Sequence, residues 1–220
     1  MVKNSIKVSD IWHDIEIKLI AILRGVKPEE TKAIVEALLD AGFRSIEVPL
    51  NSPDPFTSIK IAAQTANAYS DKPCLIGAGT VLCVEDVRQV YEVGGNFIVS
   101  PNVNSDVIKQ TKTLNMFSAP GVYTPSECLV ALKSGADILK VFPASNLGVS
   151  GIKALRAILP NGTQICAVGG VGNNDFNSYY KVGAVGFGLG SSLYNSEFKV
   201  TEISNNAKAA VQSFKNCLVK

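Results

Sequence analysis

Two charged side chains lie inside segments that are otherwise typical of buried β-strands. Lys140 interrupts an apolar run, and Glu47 lies between Ile46 and Val48. Alternation along a strand places Lys140 on the same face as Ile138. A buried ammonium is costly unless it is paired or its pKa falls. A neutral amine attacks carbonyl carbons to form a Schiff base, and a nearby carboxylate can move the protons. The residues alone leave two interpretations open, imine chemistry or a structural ion pair.

Polar residues also follow the predicted strands at other places. Arg24 follows the first strand, and Thr80 ends the segment Gly-Ala-Gly-Thr. A second cation such as Arg24 near Lys140 would lower the pKa of the amine further. Phe142 lies on the same predicted strand face as Lys140. We therefore expect these side chains to line one site.

Two glycine-rich turns come late in the chain, at Ala167–Asp175 and at Gly188–Tyr194, and the candidate residues within them are Gly169, Gly170, Gly190 and Ser191. Turns after the last strands of a barrel often bind phosphate through backbone N–H groups. Ordinary tight turns are the alternative interpretation. The second turn lacks the surroundings of a dinucleotide-binding fingerprint, so a dinucleotide cofactor is not expected.

The elements that must position these residues alternate along the whole chain. Amphipathic segments follow short apolar ones. Examples are the segment Pro28–Gly42 and the segment that begins with the capping box Thr124–Glu127, and Ser52 is predicted to cap a further helix.

The alternation of apolar and amphipathic segments predicts an α/β fold, a (β/α)₈ TIM barrel with an extra N-terminal helix and a C-terminal helix. One domain is expected over residues 1–220, and a doubly wound open sheet is the alternative. The predicted strands span residues 18–25, 44–50, 72–80, 96–102, 116–122, 137–145, 164–170 and 184–191.

Composition excludes several classes of function. The formal net charge is only +2 and no basic run occurs, so neither nucleic acid nor a membrane is expected as a partner. His13 is the only histidine, which argues against a zinc site or a histidine triad and predicts a surface residue. The five cysteines form no CxxC pair, and the N-terminus has no secretory signal, so a reducing cytoplasm is expected.

The motifs together resemble a known family. The resemblance is to the 2-keto-3-deoxy-6-phosphogluconate/4-hydroxy-2-oxoglutarate aldolases and runs from about Lys18 to Tyr194. The matching segments, in order, are AILRG, AGFRSIEVPLNSP, GAGTVL, a Ser-Pro-Asn turn, PGVYTPSE, LKVFPAS, VGGV and GLGSSLY. The resemblance implies a trimeric (β/α)₈ class I aldolase that uses no metal or other cofactor. Its substrate would be a small phosphorylated keto-deoxy sugar acid.

The resemblance also implies residue roles. Lys140 matches the Schiff-base lysine and Glu47 the glutamate that moves protons. Thr80 is expected near the substrate carboxylate, and Pro120 in a loop after strand five that closes over the pyruvyl group. The phosphate site of the family maps onto Gly169, Gly170, Gly190 and Ser191.

Departures from the gluconate-type pattern favour a galactonate-type member. Asn51 stands where gluconate-type members carry arginine, which leaves Arg24 as the expected carboxylate clamp. Val168 stands in place of a threonine whose hydroxyl could discriminate the C4 hydroxyl. The expected substrate is 2-dehydro-3-deoxy-6-phosphogalactonate. The gluconate epimer or 4-hydroxy-2-oxoglutarate remains the alternative within the family.

Two functions of other classes stay open. In a non-catalytic phosphosugar-binding barrel, Lys140 and Glu47 would form a structural pair. In a phosphosugar isomerase, Glu47 would be the base and no imine would form.

Overall fold

A computed structural model describes residues 8–69 and 72–219. The strands are β1 (Leu19–Ile22), β2 (Ser45–Pro49), β3 (Leu75–Gly79), β4 (Phe97–Val99), β5 (Phe117–Ala119), β6 (Gly121–Val122), β7 (Leu139–Val141), β8 (Ile165–Val168) and β9 (Gly186–Leu189). The helices are α1 (Val8–Asp14), α2 (Pro28–Ala41), α3 (Pro55–Tyr69), α4 (Val84–Glu92), α5 (Ser105–Thr113), α6 (Pro125–Lys133), α7 (Ala144–Ile158), α8 (Phe176–Tyr180) and α9 (Val200–Leu218). No helix in these two ranges is long and apolar enough to cross a bilayer.

The strands form one parallel sheet in the order β5-β4-β3-β2-β1-β9-β8-β7-β6. The two outermost segments, β5 and β6, are halves of one strand separated by Pro120. The carbonyl of Ser118 accepts hydrogen bonds from Asp137 and Ile138, so β5 also contacts the β7 side. The sheet is therefore closed, which confirms the predicted (β/α)₈ barrel and makes the open-sheet alternative wrong.

The ends of the helices follow from local residue chemistry. Pro28 begins α2, and Gly42 ends it with a φ of 108°, a left-handed conformation that favours glycine. Thr124 and Glu127 form the predicted capping box of α6. The prediction that Ser52 caps a helix is wrong, because α3 begins only at Pro55 and the Ser52 hydroxyl accepts a hydrogen bond from Gly25 instead.

Two apolar layers lie on the two faces of the barrel wall. Leu139 and Val141 pack outward against the helices, whereas Ile138 belongs to the cluster inside the barrel. This arrangement confirms the predicted alternation around Lys140. The N-terminal helix α1 contributes Ile11 and Trp12 to the inner cluster, so apolar side chains close that end of the barrel.

Candidate active site

A pocket of about 390 Å³ opens at the carboxyl ends of the strands. This is the end at which (β/α)₈ barrels carry their functional residues. The structure brings together ten of the eleven predicted site residues around it; Pro120 is the exception. The lining residues are Ile22, Arg24, Glu47, Thr80, Pro101, Lys140, Phe142, Val168, Gly169, Gly170, Val171, Gly172, Gly188, Gly190, Ser191 and Ser192.

Lys140 lies in the middle of β7 and is only 8% exposed. Its ammonium lies 5.1 Å from the ring centroid of Phe142, and within the described ranges it makes no hydrogen bond or ion pair to a side chain. Burial lowers the pKa of this amine and Arg24 lowers it further, whereas the attraction of Glu47 raises it. The lowering prevails, because the desolvation of a cation is the largest of the three effects.

Glu47 lies in β2 and is 2% exposed. Burial raises the pKa of its carboxyl group more than the charges of Lys140 and Arg24 lower it. Its Oε2 atom is fully buried and has no hydrogen-bond partner. A protonated carboxyl group at this place can donate a proton, and the carboxylate formed can accept one.

Gly79 makes room for this carboxyl group. A Cβ atom added at Gly79 would overlap Oε2 of Glu47. The glycine before Thr80 thus leaves the space that the Glu47 side chain of the neighbouring strand occupies, and the sequence motif alone gave no sign of this role.

Arg24 follows β1 and lies in the exposed mouth of the pocket. Its Nη1 atom donates a hydrogen bond of 2.5 Å to Oδ1 of Asn51. The two charged residues deeper in the pocket, Lys140 and Glu47, both experience its positive charge.

Thr80 turns the chain at the end of β3 with a φ of 57°. A left-handed conformation is costly for a β-branched residue, and such strain concentrates at functional sites. The turn brings Thr80 into the pocket lining, as predicted.

Both glycine-rich turns reach the same pocket. Gly169 and Gly170 have φ values of 91° and 68°, and added Cβ atoms would collide with Phe142 and Ser145. The backbone N–H groups of Gly170 and Ser191 make no hydrogen bond to the chain as far as it is described. Unpaired N–H groups of two adjacent turns provide donors for an anionic group.

Val168 ends β8, is almost fully buried and packs with the inner cluster. It lines the pocket.

Pro120 directly follows β5. It separates β5 from β6 within the barrel wall, its carbonyl accepts a hydrogen bond from the Lys140 N–H, and it does not line the pocket. The expected part of Pro120 in closing over a pyruvyl group stays a prediction.

Several lining residues were not predicted. Ile22 and Pro101 are ordinary strand and turn residues by type, so nothing in their local sequence marks them as part of a site. Gly188 is required by Val168, whose side chain would lie 2.8 Å from an added Cβ. Ser192 lies within the predicted glycine-rich turn Gly188–Tyr194, but it was not among the residues of that turn chosen for the site.

The arrangement can form an imine and move protons beside it. No group of three or more His, Cys, Asp and Glu side chains that could hold a metal occurs in residues 8–69 and 72–219. The fold and site thus define a (β/α)₈ barrel protein with a desolvated lysine and a desolvated glutamate in one anion-receptive pocket.

Comparison with known proteins assigns the family. The sequence profile of the family described as "KDPG and KHG aldolase" matches residues 13–211. The chain belongs to this family, whose members are Schiff-base class I aldolases.

Three similar proteins share most of their length with this chain. A protein of Rhizobium meliloti (strain 1021) named "Probable 2-dehydro-3-deoxy-6-phosphogalactonate aldolase" is 50% identical over 90% of this chain and 92% of that protein. The 2-dehydro-3-deoxy-6-phosphogalactonate aldolase of Escherichia coli (strain K12) is 42% identical over 92% of this chain and 97% of that protein. The solved structure described as "Native KDPGal structure" has a TM-score of 0.87 at 42% identity and covers 92% of this chain and 97% of its own.

Proposed function

We propose that this protein cleaves 2-dehydro-3-deoxy-6-phosphogalactonate to pyruvate and D-glyceraldehyde 3-phosphate. The observation that carries the proposal is the unpaired, desolvated amine of Lys140 beside Glu47 in a pocket open to a small anion. The substrate follows from the names of the two relatives above and from Val168, which offers no hydroxyl to the C4 position.

The reaction begins on Lys140. The neutral amine attacks the C2 ketone, and a C–N bond forms as the carbonyl oxygen takes up a proton. Glu47 in its protonated form then gives a proton to the departing hydroxyl, so that water leaves and the protonated imine remains. The raised pKa of Glu47 supports this first role as an acid.

The same carboxyl group completes the cleavage. As a carboxylate, Glu47 takes the proton of the C4 hydroxyl, the C3–C4 bond breaks, and its electron pair flows into the imine to give an enamine. Glyceraldehyde 3-phosphate departs. Protonation of the enamine at C3 and addition of water to the imine carbon release pyruvate and restore the Lys140 amine.

The remaining site residues bind and orient the substrate. Arg24 and Thr80 hold the carboxylate, Phe142 and Val168 flank the carbon chain, and the N–H groups of the glycine turns hold the phosphate. The fixed charge of Arg24 and the unpaired donors of the two turns support a substrate that is anionic at both ends. For Pro120 we keep only an indirect role, through its hydrogen bond to the Lys140 backbone.

We further propose that residues 1–220 form one aldolase domain that works in the cytoplasm as a homotrimer. Cys83, Cys128, Cys166 and Cys217 are free thiols, which suits a reducing compartment. Large apolar side chains on α6 and near α4 are exposed, as subunit contacts require: Leu82, Tyr91, Leu129 and Val130. Sedimentation analysis of the purified chain tests the trimer.

A side-by-side cleavage assay of the two C4 epimers, with coupled detection of pyruvate, tests the proposed substrate. We expect the galactonate epimer to be preferred. Val168→Thr adds a hydroxyl where the C4 group is expected and should shift the ratio of kcat/KM values toward the gluconate epimer by about tenfold. Equal turnover of both epimers by the unmodified protein would contradict the choice of epimer, and cleavage of neither would contradict the aldolase.

A further inference from the structure

Two side-chain contacts join the loop after β1 to the loop after β2. Oδ1 of Asn51 accepts the hydrogen bond from Arg24, and Oγ of Ser52 accepts one of 2.9 Å from the N–H of Gly25. The paired residues are 27 positions apart in each case. The first contact holds a charged side chain, whereas the second holds only backbone.

The partner of Arg24 is neutral. Among the described residues, no carboxylate lies within 4.0 Å of the Arg24 guanidinium, so its positive charge is not compensated by an ion pair. The amide fixes one nitrogen through a single acceptor, and a guanidinium carries five N–H donors. Arg24 is thus oriented while most of its donors remain available to a ligand in the pocket.

We propose that Asn51 is a positioning residue that holds the Arg24 guanidinium at the pocket mouth without neutralising it, so that its full charge acts on both the substrate carboxylate and the Lys140 amine. The inference rests on the proposed function for the carboxylate. For the amine it rests on the pocket that Arg24 and Lys140 line together and on the hydrogen bond that orients Arg24.

The charged groups near Lys140 decide which side chain at position 51 keeps the charge of Arg24 acting on the amine. Glu47 on β2 raises the pKa of the amine, and Arg24 after β1 lowers it. A carboxylate at position 51 would pair with Arg24 and cancel part of its effect. A side chain without an acceptor would leave Arg24 free to rotate into solvent. Asparagine accepts the hydrogen bond and adds no charge, which meets both requirements.

Asn51→Ala and Asn51→Asp in the full chain separate position from charge. With Asn51→Ala, we expect KM for the keto acid to rise about tenfold, the loss of one charge-assisted hydrogen bond, with little change in kcat. With Asn51→Asp, the acidic limb of the kcat/KM profile should move about half a pH unit upward, because a partly neutralised Arg24 lowers the Lys140 pKa less. Asn51→Ala should move that limb upward by less than Asn51→Asp does, because a freed Arg24 keeps its charge but holds it less closely to the amine.

Ser52→Ala is the matched control, since it cuts the neighbouring contact without touching the guanidinium. It should leave KM and the pH profile near the wild-type values. An unchanged KM in Asn51→Ala, an unmoved limb in Asn51→Asp, or an equal rise of KM in Ser52→Ala would each overturn the inference.

Competitive acetylation of the Lys140 amine with acetic anhydride measures its pKa in the same variants without turnover. This measurement distinguishes a failure of the proposed function from a failure of the inference about Asn51. A wild-type protein that cleaves neither epimer would contradict the proposed function, whereas identical Lys140 pKa values in wild type and Asn51→Asp would contradict the inference.

Discussion

Two lysines at opposite ends of the barrel show how one residue type serves two purposes. Lys18, at the closed end, donates hydrogen bonds of 3.0 and 2.7 Å to the carbonyls of Trp12 and Ile15. Its ammonium also lies 5.5 Å from the Trp12 ring centroid. Lys140, at the open end, has the Phe142 ring nearby but no carbonyl or carboxylate to receive its protons in the part of the chain that the structure describes.

Burial lowers the pKa of both amines. At Lys18 the carbonyl partners satisfy the charged form, and the lysine fastens α1 to the barrel. At Lys140 nothing comparable satisfies it, so the amine loses its proton more readily and remains accessible from the pocket. Lys18 is half-buried with a satisfied ammonium, whereas Lys140 is buried without such partners. Under the proposed function, these two differences together separate the structural lysine from the nucleophilic one.

Removal of each amine gives the largest expected effects. Lys140→Met should lower the rate of aldol cleavage by about 10⁴-fold or more, because the covalent step is lost. Lys18→Met should leave the rate near wild type but destabilise the fold by about 1–3 kcal/mol, because two buried carbonyls lose their donor. Steady-state kinetics and denaturant unfolding of both variants check this.

The stability of Lys140→Met gives a second readout with a defined sign. A folded-state pKa below the unfolded value means that the wild type is penalised at low pH, and that this penalty disappears as pH rises toward the unfolded value. The variant should therefore be more stable than wild type at pH 7, and the difference should shrink by about pH 10. Destabilisation at pH 7 would indicate a structural role for Lys140 and break the comparison.

Glu47→Gln should have the next largest effect. The amide keeps the shape of the side chain but cannot cycle a proton, so kcat should fall by about 10³-fold. A rate within a few fold of wild type would show that another group or water moves the protons.

Two glycines in the barrel wall, Gly79 at the open end and Gly186 at the closed end, allow the same comparison between the two ends. A Cβ at Gly79 would collide with the Glu47 carboxyl group, and a Cβ at Gly186 would lie 2.6 Å from the carbonyl oxygen of Lys18. Gly79→Ala should lower kcat by about 100-fold through displacement of the carboxyl group. Gly186→Ala should cost about 1–3 kcal/mol of stability with kcat unchanged. The reverse pattern would contradict the assignment of chemistry to the open end.

The smallest expected effect is a shift in the pH dependence of kcat/KM of the unmodified protein. Because burial lowers the Lys140 pKa, kcat/KM should rise with pH along a limb whose midpoint is below about 10.4, the ordinary lysine value. A limb at or above that value would mean that the amine is not desolvated in solution.

Local sequence was sufficient for the fold and for the direction of Lys140. Short apolar runs separated by amphipathic segments specify the barrel, and the period of two in a strand places residue 140 inward. The predicted fifth strand, residues 116–122, already contained Pro120, and barrel hydrogen bonds continue on both sides of this proline.

Contacts between loops could not be predicted in the same way. The Arg24–Asn51 hydrogen bond and the use of Ser52 as an acceptor for Gly25 depend on how two loops meet across 27 residues. The space that Gly79 leaves for Glu47 likewise depends on the register between β2 and β3. These features follow from three-dimensional packing, which the strand and helix periodicities do not encode.

Reduction with borohydride in the presence of pyruvate, followed by peptide mass mapping, tests the central claim most directly. The account predicts a reduced pyruvyl group on the peptide that contains Lys140, none on the peptide that contains Lys18, and none on either in Lys140→Met. Labelling at Lys18, or no adduct on Lys140 under conditions in which the protein is folded, would contradict it.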